Sequence, residues 1–480
     1  MLKLVDHIVD WANQHPDKLA IIDADGTAIT YQELVQRITL GSEQLKQAGL
    51  IPGERVLIVA KRNRWAVINY LMVHLAGGIT VLQDDDMNSS RRELVLQMAN
   101  PILILEEDRM LKNPIWVNDR TSETSPSSYL ADILFTTGTT GMPKGVCITH
   151  EALMASVISI STYIELSAND VELISLPLAH SFCLGRLRTI LYVGGTIVFV
   201  HGFVKIGRVI QAIQQYGVTS MGLVPAAWST LLTLSGNTIA TFKDQLKSLE
   251  FGSSFMTKAQ KLEVVSLLPH TKICMNFGLT ESPRSLFLDF NQDQVHIETL
   301  GKASPGNEVA ILDDDGSFVP EGQTGEICFS GPILMQSYWH DAELTQKAFH
   351  GKWFRSGDLG SISEEGYVSI FGRYAEVINV GGLKVSPLEV EKLIQEIPGV
   401  QDAACAKISH EVSGEAVAAY IVNPEANLDA KAIRLALQGR IEQYKMPVYI
   451  EFVNKIPRAD SGKIIRKALI PSTIKKEEHD

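Results

Sequence analysis

The segment Thr136-Thr-Gly-Thr-Thr-Gly-Met-Pro-Lys-Gly145 gathers hydroxyls, backbone donors and one cation in a single glycine-rich stretch. Thr136, Thr137, Thr139 and Thr140 offer O–H donors, Gly138 and Gly141 let backbone N–H groups approach closely, and Lys144 adds a point charge. These are the donors that a polyphosphate needs. The pattern is not a Walker loop, because Lys144 follows Pro143 rather than a glycine and Gly145-Val-Cys-Ile-Thr149 continues as a β-like run instead of a helix. On its own the segment would also fit a Gly/Thr hairpin with no ligand.

Such a loop needs a frame, and the surrounding sequence supplies one. Ala131-Asp-Ile-Leu-Phe135 is strand-like and feeds directly into the loop. Upstream, Thr30-Tyr-Gln-Glu33 is a capping box that opens an amphipathic helix through Leu34, Ile38 and Leu45. The runs Val56–Ala60, Trp65–Leu75 and Ile79–Leu82 read as strand, helix and strand, and the same grammar returns at Ile197–Val200, Ile206–Ile213 and Val218–Val224. The fold class expected is α/β, a large N-terminal domain with mixed, largely parallel sheets flanked by helices. Between Val117 and Ser128 the composition turns polar, which predicts an exposed connection. Near Gly372–Glu376 it changes again, and Ser386-Pro-Leu-Glu389 opens a helix with an N-cap, an N1 proline and an N3 glutamate. We therefore expect a large domain over residues 1–372, a hinge near 373–376 and a small α+β domain over 377–480.

Composition bounds the partners. The chain of 480 residues is 45% apolar and 20% charged, enough for two to four domains, and its formal charge of −12 argues against sequence-independent attraction to nucleic acid or anionic membrane. The five cysteines are scattered and never form CxxC, so neither a disulfide framework nor a zinc site is expected, and a reducing cytoplasm fits. Asp6 and Asp10 interrupt the amino-terminal apolar run, and the longest uncharged apolar stretch, around Thr189–Val200, is too short to span a bilayer. No signal peptide and no transmembrane segment are expected.

The loop resembles the phosphate loop of the adenylate-forming superfamily of acyl-CoA synthetases, adenylation domains and luciferases, whose form is [S/T]SGTTGxPKG. Thr137 stands where a serine is usual and keeps the hydroxyl. Further motifs of that family follow in order: Asn276-Phe-Gly-Leu-Thr-Glu281, Trp353-Phe-Arg-Ser-Gly-Asp358, Gly372-Arg373, Asn379–Glu391 and Pro457-Arg-Ala-Asp-Ser-Gly-Lys463. The resemblance runs from about Tyr31 to Lys467.

It implies roles that the residue types can fill. Phe277, between Asn276 and Gly278, offers a ring on which adenine could stack; Thr280 offers a hydroxyl to the α-phosphate; and Glu281 offers a hard carboxylate to Mg²⁺. Gly252 and Ser253 would border the nucleotide and the acyl group. Asp358 could accept from both ribose hydroxyls, Arg373 could donate to ribose or phosphate, and Lys463 could meet the charge developing at the reacting phosphate and acyl oxygens. Taken singly, each also has a plainer reading: Phe277 as core, Glu281 as a turn acid, Asp358 and Arg373 as an ion pair, Lys463 as a solvated lysine. His180 corresponds to a family position beside the acyl carboxylate, and a packing role suits it equally well.

The acyl pocket should draw on Leu176–Phe182, Gly222–Pro225, Trp228, Gly252–Ser254 and Met275–Asn276, almost all neutral. Amino-acid-activating relatives place an aspartate shortly after the strand that bears His180, and Ser181–Gly185 holds no acid. A fatty or aryl acid is therefore expected over an amino acid. The expected activity is ATP-dependent formation of an acyl-adenylate, then transfer to a thiol: CoA, or the phosphopantetheine arm of an acyl carrier protein. Gly381-Gly382 resembles the paired glycines that admit that arm after the small domain rotates. A non-catalytic nucleotide-binding protein is the rival from another class.

Overall fold

The computed structural model describes residues 2–106, 115–117, 129–137, 142–203, 205–313, 315–423, 425, 428–458 and 464–469. The chain divides into two compact units. One comprises Met1–Val309, Cys328–Phe354 and Glu365–Val368; the other comprises Ala310–Ile327, Arg355–Glu364 and Ser369–Asp480.

The first unit is built on two large sheets. In the nine-stranded sheet, Lys272–Phe277, Ser248–Phe251, Ser220–Leu223, Val171–Ile174, Thr196–Phe199 and Leu19–Ile22 lie side by side and parallel. Antiparallel strands close both edges, Leu286–Asp289 and Lys302–Ala303 at one and Ala28–Thr30 at the other. In the seven-stranded sheet, Leu130–Thr137, Ile79–Gln83, Arg55–Val59 and Leu103–Glu106 are parallel, with Pro143–Thr149, Ser337–Tyr338 and Ile115–Trp116 antiparallel at the margins. All five residues of Arg55–Val59 are buried, as parallel strands covered on both faces require. The expected α/β class with largely parallel sheets is thus found.

The local signals read from sequence act as expected. Helix Tyr31–Gln47 starts at Thr30, whose hydroxyl accepts from Glu33 N while the Glu33 carboxylate accepts from Thr30 N. Helix Arg64–Ala76 joins the strands Arg55–Val59 and Ile79–Gln83, and helix Ile206–Tyr216 turns Val209, Ala212 and Ile213 inward. Most of the polar stretch 117–128 lies outside the described residues. The five cysteines are all buried, and none forms a disulfide. Among the described residues no helix is long and apolar enough to cross a membrane.

In the second unit a smaller sheet orders Leu383–Val385, Ile378–Val380, Gly414–Val422 and Asp402–His410, antiparallel throughout, with Tyr449–Phe452 added parallel to Gly414–Val422. Helix Pro387–Gln395 begins at Ser386, whose hydroxyl accepts from Glu389 N, and packs Val390 and Ile394 against Cys405, Val417 and Ala419. Strands Glu308–Leu312, Gly325–Ser330, Trp353–Ile362 and Val368–Arg373 each begin in one unit and end in the other.

Candidate active site

The phosphate-loop segment is a β-hairpin. Leu130–Thr137 pairs antiparallel with Pro143–Thr149, so Thr136 faces Lys144 across the ladder and Thr137 faces Pro143. Gly138, Thr139, Thr140 and Gly141 lie outside the described residues. Lys144 is half-buried, its Nζ 5.6 Å from the centroid of the Tyr338 ring, and among the described residues it has no carboxylate partner. A cation held this way has charge left for an anion.

Strand Lys272–Phe277 delivers the second motif. Asn276 and Phe277 end the strand, and the chain then turns tightly, with Leu279 N donating to Ser282 O at 3.1 Å and Ser282 N to Leu279 O at 3.2 Å. Only glycine fits at 278, since a Cβ there would lie 2.4 Å from Arg284 N and 2.7 Å from Ser282 O. Phe277 keeps its ring half-exposed, 6.2 Å from that of Phe329, and Thr280 is also half-exposed. Glu281 is 9% exposed, and its Oε1 accepts from the Tyr338 hydroxyl at 2.7 Å. A hard carboxylate with one oxygen so engaged suits Mg²⁺, which is usually held through one or two carboxylates plus substrate phosphate. The first unit therefore brings together Lys144 and Glu281 through Tyr338, a residue the sequence reading passed over, with Thr136 opposite Lys144 on the ladder.

His180 is the N-cap residue of helix Ser181–Tyr192, with its side chain exposed and its Nε2 3.2 Å from Asp84 Oδ2. The hydrogen bond to Asp84 raises its pKa above the ordinary histidine value. Gly252 is buried beneath the Phe182 ring, and Ser253 is exposed with φ +69°. Behind this surface lies a charge network that the sequence reading missed. Arg186 binds Glu172 (Nε to Oε1 2.8 Å) and Glu250 (Nη1 to Oε2 3.3 Å), while Arg284 Nε reaches Glu250 Oε1 at 2.7 Å. Arg284 also donates to Phe182 O at 2.8 Å, and Asn276 Nδ2 donates to Glu250 Oε1 at 2.7 Å. All four charged side chains are buried. The signal for them was present: a glutamate inside each of the strand runs Val-Glu-Leu-Ile and Ser-Leu-Glu-Phe, and Arg186 inside a helix that is otherwise mostly apolar. The same helix carries Arg188, whose Nη2 binds Asp132 at 2.5 Å and whose Nε donates to Tyr70 at 2.9 Å, anchoring the strand that enters the phosphate hairpin.

In the second unit Asp358 is buried, and Arg373 Nε lies 3.0 Å from its Oδ1; Arg373 Nη1 also donates to Ser356 O at 3.3 Å. The two expected ribose ligands thus stand together as a pair. Gly381 and Gly382 form the turn between Ile378–Val380 and Leu383–Val385 with φ +60° and +92°, and no atom lies within 4 Å of a Cβ built on Gly382. Lys463 lies outside the described residues.

Comparison with known proteins places the chain in a family. The model of the AMP-binding enzyme family matches residues 8–339, and that of the AMP-binding enzyme C-terminal domain matches residues 389–463. The chain belongs to the AMP-binding enzyme family. It is an enzyme of the adenylate-forming superfamily, whose acyl-CoA synthetases join acids to thiols. A feruloyl-CoA synthase of an Amycolatopsis species is 28% identical across 92% of this chain and 93% of its own. The fatty acid–[acyl-carrier-protein] ligase ScoC of Streptomyces coeruleorubidus is 26% identical across 95% and 94%. Among solved structures, ATP-bound MatB of Rhodopseudomonas palustris superposes with a TM-score of 0.84 at 26% identity, over 99% of this chain and 100% of that one.

Proposed function

We propose that this AMP-binding enzyme activates a fatty or aryl carboxylic acid with ATP. The carboxylate attacks the α-phosphate, pyrophosphate leaves, and the acyl-adenylate passes its acyl group to a thiol, giving a thioester and AMP. The observation that carries this reading is the pairing of Lys144 and Glu281 on one tyrosine, a cation for phosphate beside a carboxylate for Mg²⁺. When bound, Mg²⁺ would supply charge neutralisation on the phosphates. Thr136, Thr137, Gly138, Thr139, Thr140, Gly141 and Lys144 would cradle the phosphates, Phe277 would stack on adenine, and Thr280 would donate to the α-phosphate. Asp358 would hold the ribose with Arg373, and Lys463 would meet charge on the reacting oxygens.

An uncharged acyl tail is supported by the balance of the buried network. Glu250 is committed to Arg186, Arg284 and Asn276, and Asp84 is engaged by His180, which leaves both acids poorly placed to receive an ammonium. CoA is the preferred acceptor, and the likeness to ScoC keeps a carrier-borne phosphopantetheine as the second reading. Residues 1–372 would act as the adenylating body and 377–480 as a lid turning at 373–376. The deciding experiment is acid-dependent ATP–pyrophosphate exchange over fatty, aromatic and amino acids, followed by thioester formation with CoA and with a carrier protein. Exchange fastest with an α-amino acid would overturn the substrate class; no exchange with any acid would favour a nucleotide-binding role without catalysis.

A further inference from the structure

Tyr338 occupies an unusual position for a residue with no chemistry of its own to perform. Its two-residue strand Ser337–Tyr338 is stitched to the phosphate hairpin by Ser337 opposite Cys147 and Tyr338 opposite Val146. Backbone bonds lock it on both sides: Gln336 N to Cys147 O at 2.9 Å, Trp339 N to Gly145 O at 2.7 Å, and Met335 N to Glu281 O at 2.8 Å. The same short segment therefore ties the strand that carries Lys144 to the turn that carries Glu281. The side chain repeats the connection, with its hydroxyl on Glu281 Oε1 and its ring facing Lys144 Nζ.

Each half of that contact has a distinct physical effect. A buried phenol donating to one carboxylate oxygen fixes the rotamer of the acid and leaves the other oxygen for a hard cation. The ring face attracts the ammonium without neutralising it, as a carboxylate would, so the full charge stays on offer to phosphate. We infer that Tyr338 is a positioning residue that couples the two halves of the nucleotide site, orienting Glu281 for Mg²⁺ through its hydroxyl and seating Lys144 through its ring. This rests on the nucleotide-site reading above.

The two effects separate in a pair of variants. Tyr338→Phe keeps the ring and loses the hydroxyl; Tyr338→Leu loses both. The readout is ATP binding by titration calorimetry on the full chain, without acid substrate, in Mg²⁺ and in EDTA. Tyr338→Phe is expected to weaken binding about tenfold in Mg²⁺ and less than about twofold in EDTA. Tyr338→Leu should weaken both, and in a Glu281→Gln background Tyr338→Phe should have no further effect. If the wild-type chain binds no ATP, the site reading falls and this inference with it. If the wild type binds with a gain from Mg²⁺ and Tyr338→Phe keeps that gain, or loses affinity equally in Mg²⁺ and EDTA, the coupling role alone is wrong.

Discussion

At the residue scale the site depends on a few charges whose loss should be graded. Lys144→Ala removes the cation of the phosphate hairpin and Glu281→Ala the carboxylate beside it; each should slow acid-dependent pyrophosphate exchange at least about tenfold, since a decade corresponds to ~1.4 kcal/mol. Exchange at wild-type rates in both variants would remove the nucleotide site from this face. His180 offers a pH test. Asp84 raises its pKa, with Asp86 acting in the same direction and Arg91 opposing. A histidine raised in the folded state contributes stability that is present below its unfolded pKa and lost as pH rises through the folded pKa. That contribution is small here, because the His180 side chain is 67% exposed. Acid binding is the better readout. If the imidazolium attracts the substrate carboxylate, the KM for the acid should rise as pH passes the His180 pKa, and Asp84→Asn should move both the KM transition and the NMR titration of His180 to lower pH. A titration that shifts while KM stays flat would leave His180 as a surface partner of Asp84 with no part in acid binding.

At the scale of elements, the helix Ser181–Tyr192 is held in place by buried charges and would, on the proposed reading, shape the acyl pocket. Through Arg186 it is bound to Glu172 on one strand and Glu250 on another, while Arg284, from the turn after Lys272–Phe277, shares Glu250 and holds Phe182 O. Removing one member of a buried charge pair leaves the other uncompensated, typically at a cost of about 3–5 kcal/mol. Glu250→Gln should therefore lower stability by roughly that amount in urea unfolding and loosen acid selectivity. A loss under about 1 kcal/mol would show that the arginines find other partners. This network also marks where reading the sequence stopped. Arg55–Val59 and Tyr31–Gln47 were legible because burial on two faces and a capping box are local patterns, repeated within a few residues. Glu172 and Glu250 were visible only as acids inside apolar runs. Their partners lie 14 and 64 residues away, and they meet because Val171–Ile174 sits between Ser220–Leu223 and Thr196–Phe199, out of chain order. Tyr338 escaped notice for the same reason, joined across 57 residues to Glu281 from a strand of two residues.

At the scale of the molecule, the question is where the chain bends if a second unit alternates between two half-reactions. The chain passes between the compact units at 309/310, 327/328, 354/355, 364/365 and 368/369, so turning the second unit as a whole would demand change at every one of those points. Movement of residues 377–480 alone needs a single bend, and the short 3₁₀ turn Tyr374–Glu376 directly after Arg373 is where the backbone can supply it. On this account Ala310–Ile327 and Arg355–Glu364 would stay in place, while Gly381-Gly382 and Lys463 would move with residues 377–480. The two groups should then serve different steps. Lys463→Ala is expected to lose formation of acyl-adenylate by at least about tenfold and to retain thioester formation from a supplied acyl-adenylate. Ala375→Pro, which fixes φ near −65° and removes a backbone donor within the turn, should impair thioester formation more than adenylation. Single-turnover assays of the two half-reactions measure this directly. Equal loss of both steps in Lys463→Ala, or no loss of either in Ala375→Pro, would mean that one pose serves the whole reaction, with the paired glycines reduced to an ordinary β-turn.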